Sequence, residues 1–519
     1  MSRFRLLLAV VALLAGCGVN PVTGKEELTL VGESTELKIG AENYAPSRQM
    51  QGGDLTIDPA LTRYVNDVGQ KLAVVADRKL PYEFSVLNNS VPNAWALPGG
   101  KIAVNRGLLT QLDSEAELAA VLGHEITHAA ARHGAKSMER GMLLQGATVA
   151  LAVGVRDNQY AGLIVGGAQL GAQLLTTRYS RDAELEADHY GMVYMKRAGF
   201  DPGAAVELQN TFVKLEQSKK KGWIDGLFAS HPPSTERVDR NRQTAAELGA
   251  GGELGREHYQ QELAQLRRIE PAYEKYDAGV EALAKNDTAS AMRLAEEATK
   301  IESREAKFPE LMGDAELQRK NYRAALEHYQ RSLALNGTYF KPYLQSGLAR
   351  YALGERDAAK ALFARSNELL PTATAAYYLG RLSEDAGDVD RALEFYQTAA
   401  GSNSDIGRAS GRQMAVLDVP RHPAKYLAIE PRADAQGQIW IAVQNSAPVA
   451  VRAIQLRVAI VNSAGGAVQG PVRINSGGRV LESGQVIVLA TGLGPAMTAA
   501  DLQRVRWQID AAVVASDGG

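Results

Sequence analysis

His124-Glu125-Ile126-Thr127-His128 is the most informative stretch of this chain. Three of its 8 histidines, His124, His128 and His133, fall close together here. Just upstream, Ser114-Glu115-Ala116-Glu117 has the form of a capping box, with Ser114 as N-cap and Glu117 at N3. Leu118, Val121, Leu122, Ile126 and Ala129 then recur at helical spacing, and Gly134 is the expected terminator at C′. The motif is therefore expected in mid-helix, on a helix that buries an apolar stripe. Residues i and i+4 are neighbours on a helix surface, so both imidazoles can reach one ion. Neutral imidazole suits Zn²⁺, which in catalytic sites takes three protein ligands and keeps a place for water. Glu125 stands beside the pair as the candidate general base for that water.

A third ligand is needed, and acidic residues are offered downstream. Ser180-Arg181-Asp182-Ala183-Glu184-Leu185-Glu186-Ala187-Asp188 is expected on a second helix. Glu184 and Asp188 are four apart and share a face. Glu186 competes as a ligand but points about 200° round the helix from Glu184. His133 does not share the face of His124 and His128, and His189 directly follows Asp188. Both are expected to be structural or exposed. Arg181 has no role assigned from the sequence.

HEITH followed by SRDAELEAD resembles the HExxH/ExxxD signature of the gluzincin metallopeptidases, the family of the CAAX prenyl protease, the heat-shock membrane peptidase and the periplasmic β-barrel assembly-enhancing protease. The resemblance implies one Zn²⁺ per chain, with Glu184 as third ligand beside His124 and His128, and with Asp188 supporting a ligand histidine from behind. Asn93-Ala94-Trp95-Ala96-Leu97-Pro98-Gly99-Gly100 is similar to the strand segment that precedes the zinc helix in that family. It is either an exposed edge strand that takes an extended substrate by strand addition or a structural hairpin. Ser230-His231-Pro232-Pro233 resembles the family's histidine loop. By that analogy His231 is a regulatory fourth ligand that restrains the site, or else a catalytic group that hydrogen-bonds the tetrahedral intermediate.

The rest of the sequence sets the frame. The chain has 519 residues, 45% hydrophobic and 22% charged, with a formal net charge of -2. That is a globular composition of several domains, with no basic excess to suggest nucleic acid. A single cysteine rules out an internal disulfide and a thiolate zinc site. It is Cys17, and it closes an apolar run from Leu6 to Gly16 that follows Arg3 and Arg5. This has the form of a signal peptide ending in a lipobox, so Cys17 is expected to be lipidated and to anchor a periplasmic protein, by default to the outer membrane. From Gly141 to Thr177 the only charges are Arg156 and Asp157. A helical hairpin is expected there, covering the site or touching the membrane surface.

Farther on, Gly279, Gly313, Gly347 and Gly380 recur at spacings of 34, 34 and 33. Each is followed in register by an alanine (Ala291, Ala325, Ala359, Ala392), then by Ala295, Tyr329, Phe363 or Tyr396. This resembles the tetratricopeptide repeat, with the aromatic expected to fill the gap between repeats. Beyond about residue 421, alternating runs such as Ile454, Leu456, Val458 and Ile460 suggest short strands. The expected architecture is multidomain: signal peptide and lipobox 1–17, polar lead-in 18–50, a mainly α, zincin-type α+β peptidase domain 51–268, an α-helical repeat solenoid 269–402, a linker 403–420, and a C-terminal β-sandwich 421–519. The expected function is a membrane-anchored zinc endopeptidase of envelope protein quality control, or an assembly scaffold whose peptidase is latent. Its expected partners are unfolded or stalled envelope proteins, a protein docked on the repeats, and the membrane through Cys17.

Overall fold

The structure, a computed structural model, describes residues 17–145, 168–217, 230–462, 464–496 and 498–515. The expected signal segment up to Gly16, and residues 146–167 of the expected hairpin, lie outside the described residues. The chain divides into two compact units, Met1–Pro371 and Thr372–Gly519.

The first unit opens with a small antiparallel hairpin, β1 (Cys17–Val19) and β2 (Glu26–Leu28). Its turn is tied by Asn20, whose Oδ1 accepts from Val22 N at 2.9 Å and whose N donates to Lys25 O at 2.8 Å. The segment expected as a polar lead-in contains α1 (Glu33–Met50), which is a built part of the unit. Tyr44 of α1 donates to Ile102 O at 2.6 Å, and Glu36, buried, pairs with Arg78 and Arg132. Helix α2 (Pro59–Val75) is capped by Asp58 and buries Leu61, Val65, Val68 and Leu72. Strands β3 (Glu83–Leu87), β4 (Ala94–Leu97) and β5 (Lys101–Asn105) form a sheet of order β3-β5-β4, with β3 parallel and β4 antiparallel to β5. So β4 is the edge strand of this sheet, but its four side chains are buried rather than exposed.

The motif helix α3 (Glu115–Ala130) begins at Ser114, whose Oγ accepts from Glu117 N at 3.2 Å. All of its residues are buried, so it is a central helix rather than one with a single buried stripe. It ends earlier than the expected stop at Gly134. Arg132 takes a left-handed φ of 64°, and α4 (His133–Gln145) starts directly after it, with Gly134 inside α4. That conformation costs a non-glycine residue about 1–2 kcal/mol. It is offset here because the Arg132 guanidinium is held by Glu36, Val31 O and Thr29 Oγ1.

Next come α5 (Ala168–Leu175), α6 (Arg181–Arg197), α7 (Gly203–Gln217), α8 (Thr235–Leu248) and α9 (Arg256–Glu262). Helices α3 and α6 touch backbone to backbone at two glycines. A Cβ on Gly123 would sit 2.9 Å from Gly191 O, and one on Gly191 would sit 2.9 Å from His124 N. This close approach carries the acidic face of α6 to the histidines of α3.

The repeats follow as helix pairs α10 (Ala264–Ala284) with α11 (Thr288–Ile301), α12 (Lys307–Gln318) with α13 (Tyr322–Leu335), and α14 (Phe340–Ala352) with α15 (Arg356–Leu369). The aromatic, expected to fill the gap between repeats, packs on the glycine of its own hairpin. A Cβ at Gly313 would meet the Tyr329 ring at 2.5 Å, and one at Gly347 would meet Phe363 at 2.7 Å. The first pair, with Ala295 in the aromatic position, instead sets Gly279 against Leu311 of the next. The early repeats also pack on the segment between β3 and β4 and on Arg106, directly after β5. Asn88 donates to Glu305 at 3.0 Å, and the Arg106 guanidinium lies 3.3 Å over the Tyr273 ring.

The second unit holds the fourth pair, α16 (Ala373–Asp385) with α17 (Val389–Ala400), where Gly380 again faces the aromatic ring of its own hairpin, Tyr396. The expected linker is instead occupied by α18 (Asp405–Asp418), capped by Ser404. Ala415 and the following Val419 insert into the core of the strands beyond, and that burial is what orders the segment. Those strands are β6 (Leu427–Ala433), β7 (Ile439–Asn445), β8 (Val451–Val461), β9 (Ala467–Asn475), β10 (Val486–Ala490) and β11 (Val505–Val514). They form two antiparallel sheets, ordered β10-β7-β6 and β11-β8-β9, which share one apolar core. Among the described residues, no helix is long and apolar enough to cross a membrane.

Candidate metal centre

Helix α3 presents His124 and His128 one turn apart, and α6 presents Glu184 and Asp188 one turn apart toward them. His231 enters from the segment before α8. Ligand atoms of His124, His128, Glu184 and His231 lie within 4.8 Å of one another. His124 Nε2 is 3.0 Å from His128 Nε2 and 3.3 Å from His231 Nδ1. Glu184 Oε1 is 3.4 Å from His128 Nε2 and 3.0 Å from His231 Nδ1, and Glu184 Oε2 is 3.6 Å from His124 Nε2. A tetrahedral ion with bonds of about 2.0–2.1 Å needs donors roughly 3.3 Å apart. The separations bracket that value. Buried nitrogens converging on one carboxylate are the arrangement a cation stabilises, and an N/O set of this kind suits zinc.

The electrostatics agree. Burial pushes the His128 imidazole well below its ordinary value, which keeps it in the neutral, ligating form. Burial opposes ionisation of Glu184, but His231, His128 and His124 outweigh it and hold the carboxyl well below the usual range. Glu125 is the opposite case: burial dominates and pushes its carboxyl up. Its Oε1 is 3.7 Å from His231 Nε2, and its Oε2 is buried without a hydrogen-bond partner among the described residues. A buried carboxylate with raised proton affinity and one oxygen still open to a proton suits a general base.

Behind the donors, Asp188 Oδ1 lies 2.9 Å from His124 Nδ1, the atom facing away from the cluster. Arg237 of α8 lies across both carboxylates: two of its nitrogens reach Asp188 at 2.7 Å and a third is 3.0 Å from Glu184 Oε2. Burial opposes ionisation of Asp188 as well, and Arg237 outweighs it. Sequence reasoning missed Arg237, although it closely follows Ser234, which caps α8. It also missed Tyr179, whose ring stacks on His128 at 4.0 Å. Arg181, left unassigned from the sequence, forms an exposed pair with Glu236. His189 bonds Thr244 at 3.2 Å, away from the donors. His133 is buried, not exposed, and contacts His128, while Glu186 stays outside the donor cluster. A cavity of about 40 Å³ opens beside His124, Glu125 and His231, and Ala94 of the edge strand, with Leu108 and Met192, forms part of its wall.

A model of peptidase family M48 matches residues 59–245, the span that carries every one of these donors. The chain is 32% identical over 243 residues to the mitochondrial metalloendopeptidase OMA1 of Schizosaccharomyces pombe, covering 44% of this chain and 68% of that protein. The chain belongs to peptidase family M48. M48 enzymes use zinc, and the donor set of this M48 domain fits it. The chain is also 33% identical over 211 residues to the beta-barrel assembly-enhancing protease of Yersinia pestis, covering 39% of this chain. It spans only 42% of that relative's length. Among solved structures, the crystal structure of MamA is similar to 32% of this chain and 90% of its own, at 19% identity and a TM-score of 0.24.

Proposed function

We propose that this chain is a zinc-dependent endopeptidase that cleaves misfolded or stalled envelope proteins, held at the periplasmic side of the outer membrane by a lipidated Cys17. The observation that carries the catalytic part is the buried Glu125 carboxylate, with one oxygen unpartnered among the described residues, beside a convergent His124–His128–Glu184 donor set. Zinc held there supplies a Lewis acid and makes water a competent nucleophile near neutral pH. Glu125 Oε2, without a hydrogen-bond partner among the described residues, is placed to accept a proton from an attacking water and would return it to the leaving amine. Asp188 accepts from His124 Nδ1 and fixes that ring, and Arg237 fixes Asp188 and Glu184. The edge position of β4 beside the cavity suits an extended substrate bound through its main chain, which reads little side-chain sequence. The envelope setting rests on the form of residues 1–17 and on likeness to relatives named as beta-barrel assembly-enhancing proteases. The repeats and the tail, whose two sheets we read as a small β-sandwich, serve as docking surfaces for a client or an assembly partner.

A second reading is favoured by one observation. His231 Nδ1 sits among the donors, so a fourth protein ligand fills the position that water needs. In that reading the resting peptidase is latent and the chain acts as an assembly scaffold until His231 withdraws.

The test is Glu125→Gln. It should abolish cleavage of an unfolded substrate while retaining zinc, and crosslinking from membranes should trap clients and partners on it. Full biological function in Glu125→Gln, with loss in repeat-surface variants, would sink the enzyme reading.

A further inference from the structure

His133 and Glu186 are absorbed by none of the roles above, yet they continue the geometry of the metal site. His128 turns Nε2 toward His124 and Glu184, so Nδ1 faces away. That Nδ1 lies 2.9 Å from His133 Nδ1, and His133 Nε2 lies 3.2 Å from Glu186 Oε1. His133 and Glu186 reach each other from different elements, since His133 opens α4 just past the sharp turn at Arg132. Glu186 in turn faces Asn20, 1% exposed, whose Nδ2 is 3.5 Å from Glu186 Oε1 and 3.3 Å from Glu27 Oε1. Lys136 closes the group by pairing with Glu27 at 2.7 Å.

The direction of the hydrogen bonds follows from the ligand requirement. An imidazole that binds metal through Nε2 carries its proton on Nδ1. His128 Nδ1–H must then donate, so His133 Nδ1 must accept. A neutral His133 that accepts at Nδ1 carries its proton on Nε2, which donates to Glu186. The chain therefore has one polarity, ending on a carboxylate. It parallels the simpler contact on the other ligand, where His124 donates to Asp188 directly. Such outer partners fix ring orientation and raise ligand basicity.

We infer that His133 and Glu186, with Asn20 of the N-terminal hairpin clamping the far end, form a strut that positions His128 for the metal. The inference rests on the zinc reading above. On this view the acidic residues at 184, 186 and 188 divide the work by helix face: Glu184 joins the donors, while Asp188 and Glu186 each support one histidine.

The test is zinc affinity of the full chain, measured by competition with a chelator of known affinity. His133→Leu should weaken binding about ten- to a hundred-fold. His133→Asn, which can offer an acceptor near the place of Nδ1, should recover part of the loss. Glu186→Leu should weaken binding in the wild-type background but add little to His133→Leu, because Glu186 acts through His133. The visible absorption of the cobalt-substituted protein should shift in His133→Leu and stay fixed in His189→Ala. Should His133→Leu fail to fold, Glu186→Leu carries the same expectation. Wild-type zinc binding with unchanged affinity in folded variants, or fully additive losses, would overturn the strut alone. A wild-type chain that binds no zinc would overturn the zinc reading and the strut with it.

Discussion

His231 presents Nδ1 to Glu184 Oε1 at 3.0 Å, inside the same donor cluster that His124 and His128 complete. Burial opposes charging of His231, but the Glu184 and Glu125 carboxylates outweigh it, so without a metal the loop is held inward by charge, whereas capping a metal requires the neutral imidazole. Two roles make opposite forecasts. If His231 caps the metal, His231→Ala should raise cleavage of an unfolded substrate, by about tenfold for each 1.4 kcal/mol of capping removed. If it stabilises the transition state, the same variant should lose roughly 10²–10³ in rate. The capping role is the expected one. A dead variant that still holds zinc would decide against it.

Glu184 and Glu186 are separated by one residue, but Glu184 lies in the donor cluster and Glu186 lies against His133. Glu184→Ala removes a donor and should leave the purified protein without stoichiometric zinc. Glu186→Ala should still fill at saturating zinc, even if its affinity falls. Metal analysis of both proteins checks this, and the reverse pattern would transfer the ligand role to Glu186. Because zinc binds the folded state, wild type at a hundred times Kd should gain about 2.7 kcal/mol, and Glu184→Ala should gain little.

The repeat glycines make a stability forecast that is independent of catalysis. Gly313→Ala places a methyl group 2.5 Å from the Tyr329 ring and should cost about 1–3 kcal/mol. Gly411, inside α18, has its nearest neighbour at 4.0 Å, so Gly411→Ala should stabilise by about 0.5–1 kcal/mol. Calorimetry of the two variants should show shifts of opposite sign. Equal shifts would mean that the glycine–aromatic contact does not set the repeat register.

Cys17 is the only thiol. If it is the attachment point, Cys17→Ser should abolish lipid labelling and either release the protein from membranes or leave an uncleaved precursor. Membrane association that survives the change, in a processed protein, would require another anchor.

Much of the site was legible because its parts are local. The i, i+4 spacing of His124 and His128, the Ser114 cap and the Glu184–Asp188 face are properties of single helices, and short-range geometry fixes them. The 34-residue register was legible for the same reason, since the glycine and its aromatic lie in one hairpin. What failed was longer in range. The stop at Gly134 looked right by propensity, but Glu36, far upstream, holds Arg132 in the left-handed turn instead. The segment 403–420 looked like a linker because its polarity hid Ala415 and Val419, which are ordered by a core formed later in the chain.

The sequence by itself determined the helix that pairs His124 with His128, the place of Glu125 beside them and the repeats, since each depends on spacing along one element; Glu184 as candidate third ligand came from the family resemblance. Only the tertiary structure decided that Arg237 joins Glu184 to Asp188, that His231 enters the donor cluster, and that His133 and Glu186 stand behind His128. Those relations depend on α3 and α6 meeting at Gly123 and Gly191, and on where segments distant in sequence are folded against that contact. Helical periodicity states which way a side chain faces but not what will be there to meet it.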